Sequence, residues 1–374
     1  MKKATLVGYH GRKNLGDDIF REIVLHWLRN KLNVTACSIT AKKDSIALSK
    51  DLNLSFIESP IESVSRSIWA PIFISSLRCN YLVFSAGSIF TIQPFFIIYS
   101  MLILLRAIRG KNLKIFAIGV SIGPFRNRYD KYWCLKALAL FDKVILRDKR
   151  SETFIENAMV NYKKSYDLAL SYNILLDKID PYNCNDKFKL GISITERGFR
   201  SCKQSHSDDC EQYVSLIERV LLSSTNSTVK LFAVCSDPHD GDIKLCTHVA
   251  NRLMGYADRI SIEIYDNNVD EYLKSLSMCS AIIASRMHAG IMGILNKVPV
   301  YQVSYAEKIS EFYMNCGVDE TYLRTPNEVT TDDMYNFVMQ AFEGALNEFV
   351  EKQYAIIYQK GEVIVNDLEV LSEF

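Results

Sequence analysis

The feature that most constrains this chain is an alternation that occurs twice. Short β-rich runs interleave with helical periods, stop at a polar stretch, and then resume. That is the pattern of α/β folds with parallel sheets. In the first series, strands are expected near Ala4–Tyr9, Val34–Ile39, Tyr81–Ser85, Lys114–Gly119 and Lys143–Arg147. The helices between them are expected near Asp17–Leu32, Pro94–Ile108, Lys131–Leu140 and Ser151–Asn157. Tyr172 to Phe188 then turns polar and holds Pro181 and Asn183, which makes it the best linker candidate. The second series has strands near Leu190–Ile194, Thr228–Val234, Arg259–Ile264, Ala281–Ala284 and Val300–Val303. Its clearest helices are Cys210–Leu222 and Asp270–Leu276, the latter with Asn267, Asn268 and Asp270 as available caps. Thr331 to about Leu371 keeps a helical period. A length of 374 residues suits two domains better than one. We therefore expect an α/β chain of two doubly wound, Rossmann-like domains, 1–178 and 187–328, with a helical tail, 329–374, crossing back. Two such sheets facing one another would leave a cleft at the carboxyl ends of their strands, where doubly wound sheets bind ligands.

Composition narrows the function classes. Hydrophobic residues make up 48% and charged residues 23%, as in soluble globular proteins. A net charge of +1 gives no reason to expect nucleic acid, which requires a concentrated basic surface. The ten cysteines are scattered from Cys37 to Cys316 without a C-x-x-C pair. Reduced cytoplasmic thiols are expected rather than a disulfide or zinc framework. The apolar run after Lys3 ends too soon for a signal peptide. Ile89 to Leu105 is apolar but contains Thr91, Gln93, Pro94 and Ser100 and falls short of a membrane span. It reads as a buried helix covering a sheet, with peripheral contact at the inner face of a membrane left open.

Two stretches could carry chemistry. The first is GYHGRKNLGDD, residues 8–18, between the first strand and the first helix. Gly8, Gly11 and Gly16 do not have the G-x-G-x-x-G spacing, and the second strand ends SITAKKD without the acid that would hold a ribose. Gly16 is followed by Asp17 and Asp18 rather than the Lys-Ser/Thr of a nucleotide loop. A glycine-rich turn into a helix N-terminus remains, which favours an anion; Asp17 is either a functional residue or the helix cap. The second stretch runs from Ala281 to Lys308. If its extended backbone persists to His288, Arg286 and His288 project to the same side, a permanent cation beside a titratable ring. Gly290 would permit close approach, and Lys308 follows a second strand-to-helix junction.

Weaker candidates end other strands. SAGSIF and IGVSIGPF are glycine-bearing strand ends. ILRDKRS offers Arg147 and Asp148, a surface ion pair on the plain reading, with Ser151 as a cap. GISITERGFR offers Arg197 and Arg200. His239 lies among Asp237, Asp240 and Asp242, but the spacing matches no standard metal site and a capped turn is the better reading.

Taken together and in order, GYHGRKNLGDD, AGS, GVSIGPF, VILRDKRS, SYDLAL, GISITERG, SRMHAGIMGI and VPVYQVSYAEKISEF resemble the polysaccharide pyruvyl transferases, over residues 4 to 317. The chain departs from the family pattern at Ala86-Gly87-Ser88, where more glycines are usual, and at SITERGFR, which stretches an Arg-bearing motif. The resemblance implies a two-domain, GT-B-like fold. It also implies transfer of a pyruvyl group from phosphoenolpyruvate to a sugar, lipid-linked or not, as a cyclic ketal in surface-glycan synthesis. By carry-over, His288 is the general acid, with Arg286 and Asp17 also catalytic. Asn14, Gly16, Gly87, Lys308, Arg147 and Arg197 would bind substrate. The donor's phosphate and carboxylate call for Arg or Lys and a helix N-terminus. An imidazole suits protonation of the methylene, although a helix N-terminus would work against its charged form unless bound phosphate offsets it. No step calls for a metal or cofactor. Sugar-nucleotide transfer on the same fold, and a non-catalytic anion-binding module, are the alternatives.

Overall fold

β1 (Lys2–Val7) is buried from Ala4 onward, as a central parallel strand covered on both faces must be. It belongs to a seven-stranded sheet with β2 (Val34–Thr40), β3 (Asn53–Ile57), β4 (Tyr81–Phe84), β5 (Lys114–Val120), β6 (Lys143–Leu146) and β7 (Tyr162–Lys164). The strand order is β3-β2-β1-β4-β5-β6-β7, and every pairing is parallel. The order reverses between β1 and β4, so the loops leaving these strands diverge there. The fold comes from a computed structural model that describes residues 1–41, 53–58, 68–85, 87–91, 93–176, 188–195, 206–237 and 242–373. It divides into two compact units, one of Met1–Arg12, Gly16–Asp177 and Lys360–Phe374, the other of Lys13–Leu15 and Lys178–Gln359.

Helices cover the first sheet by apolar stripes. α1 (Leu15–Asn30) buries Ile19, Phe20, Ile23, Val24, Trp27 and Leu28, the spacing of one helical face. α2 (Trp69–Ser76), α3 (Phe95–Arg109) and α4 (Arg128–Leu138) follow, with α2 and α4 packed against α3. α3 is only half of what the sequence suggested. Phe95, Ile98, Met101, Leu102 and Leu105 join the core, while Phe96, Ile103, Leu104 and Ile108 are exposed. Among the described residues, no helix is long and apolar enough to cross a membrane. α5 (Lys149–Ile155) and α6 (Tyr172–Leu176) complete the first series. α6 occupies the start of the expected linker; 177–187 lies outside the described residues.

The second sheet repeats the plan. β8 (Lys189–Ser193), β9 (Thr228–Ala233), β10 (Ile260–Ile264), β11 (Ala281–Ala284), β12 (Val300–Val303) and β13 (Leu323–Arg324) are all parallel, in the order β10-β9-β8-β11-β12-β13. Its switch point lies between β8 and β11. α7 (His206–Ser223), α8 (Asp242–Arg252), α9 (Val269–Ser277), α10 (Met287–Leu295) and α11 (Glu307–Cys316) connect the strands. Asn268 caps α9 by accepting from Glu271 N. The periodic tail is two helices, α12 (Thr331–Phe342) and α13 (Asn347–Leu371), parted near Gly344, whose φ of 73° ends a right-handed helix. From Lys360 on, α13 belongs to the first unit, where Leu368 O accepts from Trp27 Nε1 at 2.8 Å. The eight described cysteines are buried and form no disulfide with one another.

Candidate active site

In the first unit, the loops after β1 and β4 touch at the switch point. Ser85 N donates to Val7 O, and a side chain on Gly8 would place its Cβ 2.3 Å from Ser85 O. Only glycine fits there. The turn after it is tied to α1 from inside. Gly11, at φ 67°, donates its N–H to Asp18 Oδ1 at 2.8 Å, and the same oxygen accepts from Arg21 at 2.6 Å. Asp18 and Arg21 are both buried. His10 is buried as well, its Nδ1 3.2 Å from Asp17 O and its Nε2 without a hydrogen-bond partner. Burial, with the Arg21 cation adding to it, pushes the His10 pKa down to about 3, so the ring is neutral. Asp17 itself is half-buried and lies inside the first turn of α1, which starts at Leu15; it is therefore not the cap. Gly16 beside it is buried. Tyr9, half-buried, accepts from Gln93 Nε2 at 2.6 Å and has Arg12 over its ring at 5.1 Å. Burial raises its phenol pKa, and Asp17 is close enough to add to that.

Arg147 was expected at the substrate or in a surface pair. It is neither exposed nor loosely held: its side chain is 8% exposed and its Nε donates to Ser121 Oγ at 2.7 Å. Nη1 donates to Asp167 Oδ2 at 3.0 Å, while Asp148 Oδ2 is no closer than 4.0 Å. Asp148 instead caps α5 through Ser151 N. Gly87 lies against the guanidinium, so a Cβ there would sit 2.5 Å from Arg147 Nη1, and Gly87 O accepts from Ser121 N at 2.7 Å. The arginine thus props up the glycine loop after β4.

In the second unit the turn into α10 corrects one sequence expectation. The helix begins at Met287, with Arg286 extended at its N-cap position, so the strand does not persist to His288 and the two do not alternate as expected. Arg286 instead forks onto Asp242, the first residue of α8. Nε lies 3.0 Å from Oδ2, and Nη2 lies 2.6 Å from Oδ1. Asp242, with no exposure, also accepts from Cys235 N at 2.9 Å and from the Thr195 hydroxyl. Burial raises the Asp242 carboxyl above its ordinary range, and Arg286 opposes that shift. For Arg286 burial works against the charge, but Asp242 outweighs it and keeps the guanidinium a cation. Tyr305 interacts with it electrostatically. Asn14, from the first glycine-rich stretch, belongs to this unit: it bridges to Cys235 in antiparallel fashion, flanked by Leu15 N to Val234 O and Ser236 N to Lys13 O. Asn14, Cys235, Asp242 and Arg286 therefore form one connected group.

His288 is the second residue of α10 and half-buried; Lys308 is the second residue of α11 and exposed. β11 and β12 are neighbours, so both helices start at the same sheet edge. Neither N-terminus is capped by a side chain, at Arg286 or at Ala306. Their first N–H groups and helix dipoles favour an anion. Gly290 and Gly293 serve packing rather than a ligand. Side chains there would put a Cβ 2.0 Å from Gln302 Oε1 and 2.6 Å from Val300 Cγ2, so the glycines seat α10 on β12. Arg197 and Arg200 lie outside the described residues, as do Ala86, His239 and Asp240. Among the described residues, no group of three His, Cys, Asp or Glu is arranged to hold a metal.

Sequence reasoning missed Asp242, Asp18 and His10. Asp242 was visible only as part of an acidic cluster, and its partner stands 44 residues away. His10 sat in plain view in the glycine-rich stretch.

A family model for polysaccharide pyruvyl transferases matches residues 14–307. The chain belongs to that family, a family of transferases. No curated protein sequence matches it significantly. Solved structures align over nearly its whole length at low identity. The Anabaena protein Alr3699/HepE, solved with UDP-glucose, has a TM-score of 0.61 at 14% identity, covering 100% of both chains. The UDP-GlcNAc 2-epimerase of Methanocaldococcus jannaschii has 0.61 at 12%, covering 98% of this chain and 99% of its own. The trehalose 6-phosphate synthase of Burkholderia multivorans has 0.56 at 9%, covering 100% and 97%. These likenesses establish a GT-B fold for the chain, with two parallel α/β sheets.

Proposed function

We propose that this protein moves a pyruvyl group from phosphoenolpyruvate to a sugar of a surface polysaccharide or its precursor. Two hydroxyls of the sugar end in a cyclic ketal and phosphate is released. The observation that carries the proposal is the pair of helix N-termini without side-chain caps at the ends of β11 and β12, bearing His288 and Lys308 in their first turns. The donor has a phosphate and a carboxylate, and two adjacent helix ends with an exposed lysine match that charge. Arg286 contributes less net charge than the sequence suggested, because Asp242 neutralises it at 2.6 Å. It acts as a fixed cation, and Lys308 with the helix ends supplies the attraction.

In the reaction, one sugar hydroxyl adds to the enol carbon while the methylene carbon gains a proton from His288. The positive character that develops next to oxygen is relieved as the carbon–oxygen bond forms, and the hydroxyl gives up its proton to a base. The second hydroxyl then displaces phosphate, which leaves with that proton. General acid catalysis of this kind is worth about 10²–10⁴-fold. The reaction needs no metal or cofactor.

A second reading is favoured by one observation. The Anabaena neighbour was solved with UDP-glucose, and the same helix ends would accept a diphosphate. Incubation with labelled phosphoenolpyruvate and, separately, labelled sugar nucleotides distinguishes the two. Label entering the glycan from phosphoenolpyruvate supports the proposal, and transfer from a sugar nucleotide alone rejects it.

A further inference from the structure

Apart from Ser100, the outward face of α3 lacks the polar residues a surface helix normally shows. Phe96, Ser100, Ile103, Leu104, Ala107 and Ile108 recur at helical spacing and are exposed, Phe96 by 50% and Ile108 by 55%. At one end of this stripe the rings gather. Phe96 and Tyr99 pack on Trp133 of α4 with centroids 4.8 and 5.1 Å away, and Tyr129 and Tyr132 pack on the same indole at 5.9 and 5.0 Å. Both tyrosines are more than half exposed, at 61% and 51%. Ile74 on α2, which packs beside α3, is 58% exposed.

Charge around these helices is one-sided. Ile68 to Ala139 holds nine Lys and Arg and one carboxylate, Asp130, in a chain whose net charge is only +1. Arg126, Arg128, Lys131 and Lys136 are exposed on or beside α4, with Lys136 Nζ 5.7 Å from the Tyr132 ring centre. Protein–protein interfaces are depleted in lysine. An apolar stripe, a belt of Trp and Tyr, and unbalanced cations together are the marks of a surface that lies in a membrane interface.

We propose that the α3–α4 face docks on a bilayer carrying anionic headgroups. The α3 stripe enters the boundary of the acyl region, the rings sit at headgroup depth, and the α4 cations face the phosphates. The proposal is independent of the transferase chemistry, and its test uses no substrate.

The full-length protein is sedimented with vesicles of phosphatidylcholine alone or mixed with phosphatidylglycerol, at low and high salt. Binding is expected only with the anionic lipid, and high salt should weaken it. The double variants Phe96→Ser/Ile103→Ser and Lys131→Glu/Lys136→Glu should each lose about tenfold or more in partitioning while melting like the parent. No binding to anionic vesicles, or equal binding by parent and variants, overturns the proposal. So does a dimer in the absence of lipid that Phe96→Ser/Ile103→Ser converts to monomer, because the face would then be a self-interface.

Discussion

The two switch points use the same topology for different electrostatics. At the first, between β1 and β4, the charges are paired inward: Asp18 with Arg21, both buried, and Arg147 with Asp167, their side chains 8% and 3% exposed. Their work is to hold glycine turns close together. At the second, between β8 and β11, one pair is buried, Arg286 with Asp242, but the neighbouring helix ends carry no side-chain caps and Lys308 is exposed. One end of one sheet is thus organised for shape, with Asp17 and Tyr9 as its partly exposed polar groups. The end of the other carries two helix N-termini without side-chain caps, which the proposed function assigns to an anion. A doubly wound sheet fixes where a ligand goes but not its charge; that is set by the groups its strand ends carry.

The sharpest way to break this contrast is at Asp242. Asp242→Ala leaves Arg286 buried without its carboxylate, and urea unfolding should register a loss of about 3–5 kcal/mol. A loss under about 1 kcal/mol would mean the pair is solvated. His288→Ala should keep its fold and lower turnover by about 10²–10⁴-fold, as read by phosphate release from phosphoenolpyruvate. Activity within a few-fold of the parent removes the acid from His288.

pH tests the first switch point. The folded pKa of His10 lies near 3 against 6.5 for a free imidazole, so the fold selects the neutral ring. That contribution is complete above the unfolded value. It is lost as pH falls from about 6.5 toward 3, by an amount on the order of several kcal/mol. His10→Gln should flatten this acid limb in denaturation midpoints measured across that range, and an unchanged limb assigns it to other groups. Gly87→Ala presses a methyl on the Arg147 guanidinium at 2.5 Å and should cost about 1–3 kcal/mol in thermal unfolding. An unshifted melt would show that the loop yields. Lys308→Ala is the mildest change. It should raise KM for phosphoenolpyruvate by about five- to tenfold with kcat little altered, and the gap should narrow at high salt because the charge is exposed. A change in kcat alone would contradict a binding role.

Buried apolar strands and amphipathic helices were legible in the sequence, because apolar runs and periodicity report burial directly. β11 and β12 end where their apolar runs end, and the core face of α1 is readable residue by residue. What escaped was polar or partnered at a distance. β3, β7 and β13 are edge strands of mixed or polar sequence, NLSFI, YKK and LR, with partly exposed residues and no continuous apolar run to mark them. In the site, local motifs pointed to the strand ends, including His288 and Lys308, but not to what holds each side chain. Arg286 looked available because Asp242 is remote in sequence. Arg147 looked like a surface ion because neither Ser121 nor Asp167 is adjacent to it. Gly290 looked like room for a ligand because Gln302 lies across a turn. Spacing reveals a turn; only the fold shows which charges are already used.

On the proposed function, the helix ends after β11 and β12 serve phosphoenolpyruvate and the reaction leaves a ketal on a sugar. Mass spectrometry of the surface glycan, made with and without this protein, addresses it most directly. Loss of a mass corresponding to one pyruvate ketal, with the sugar chain otherwise intact, is the predicted result. Loss of a whole sugar instead would contradict it and assign the site to a nucleotide-sugar donor.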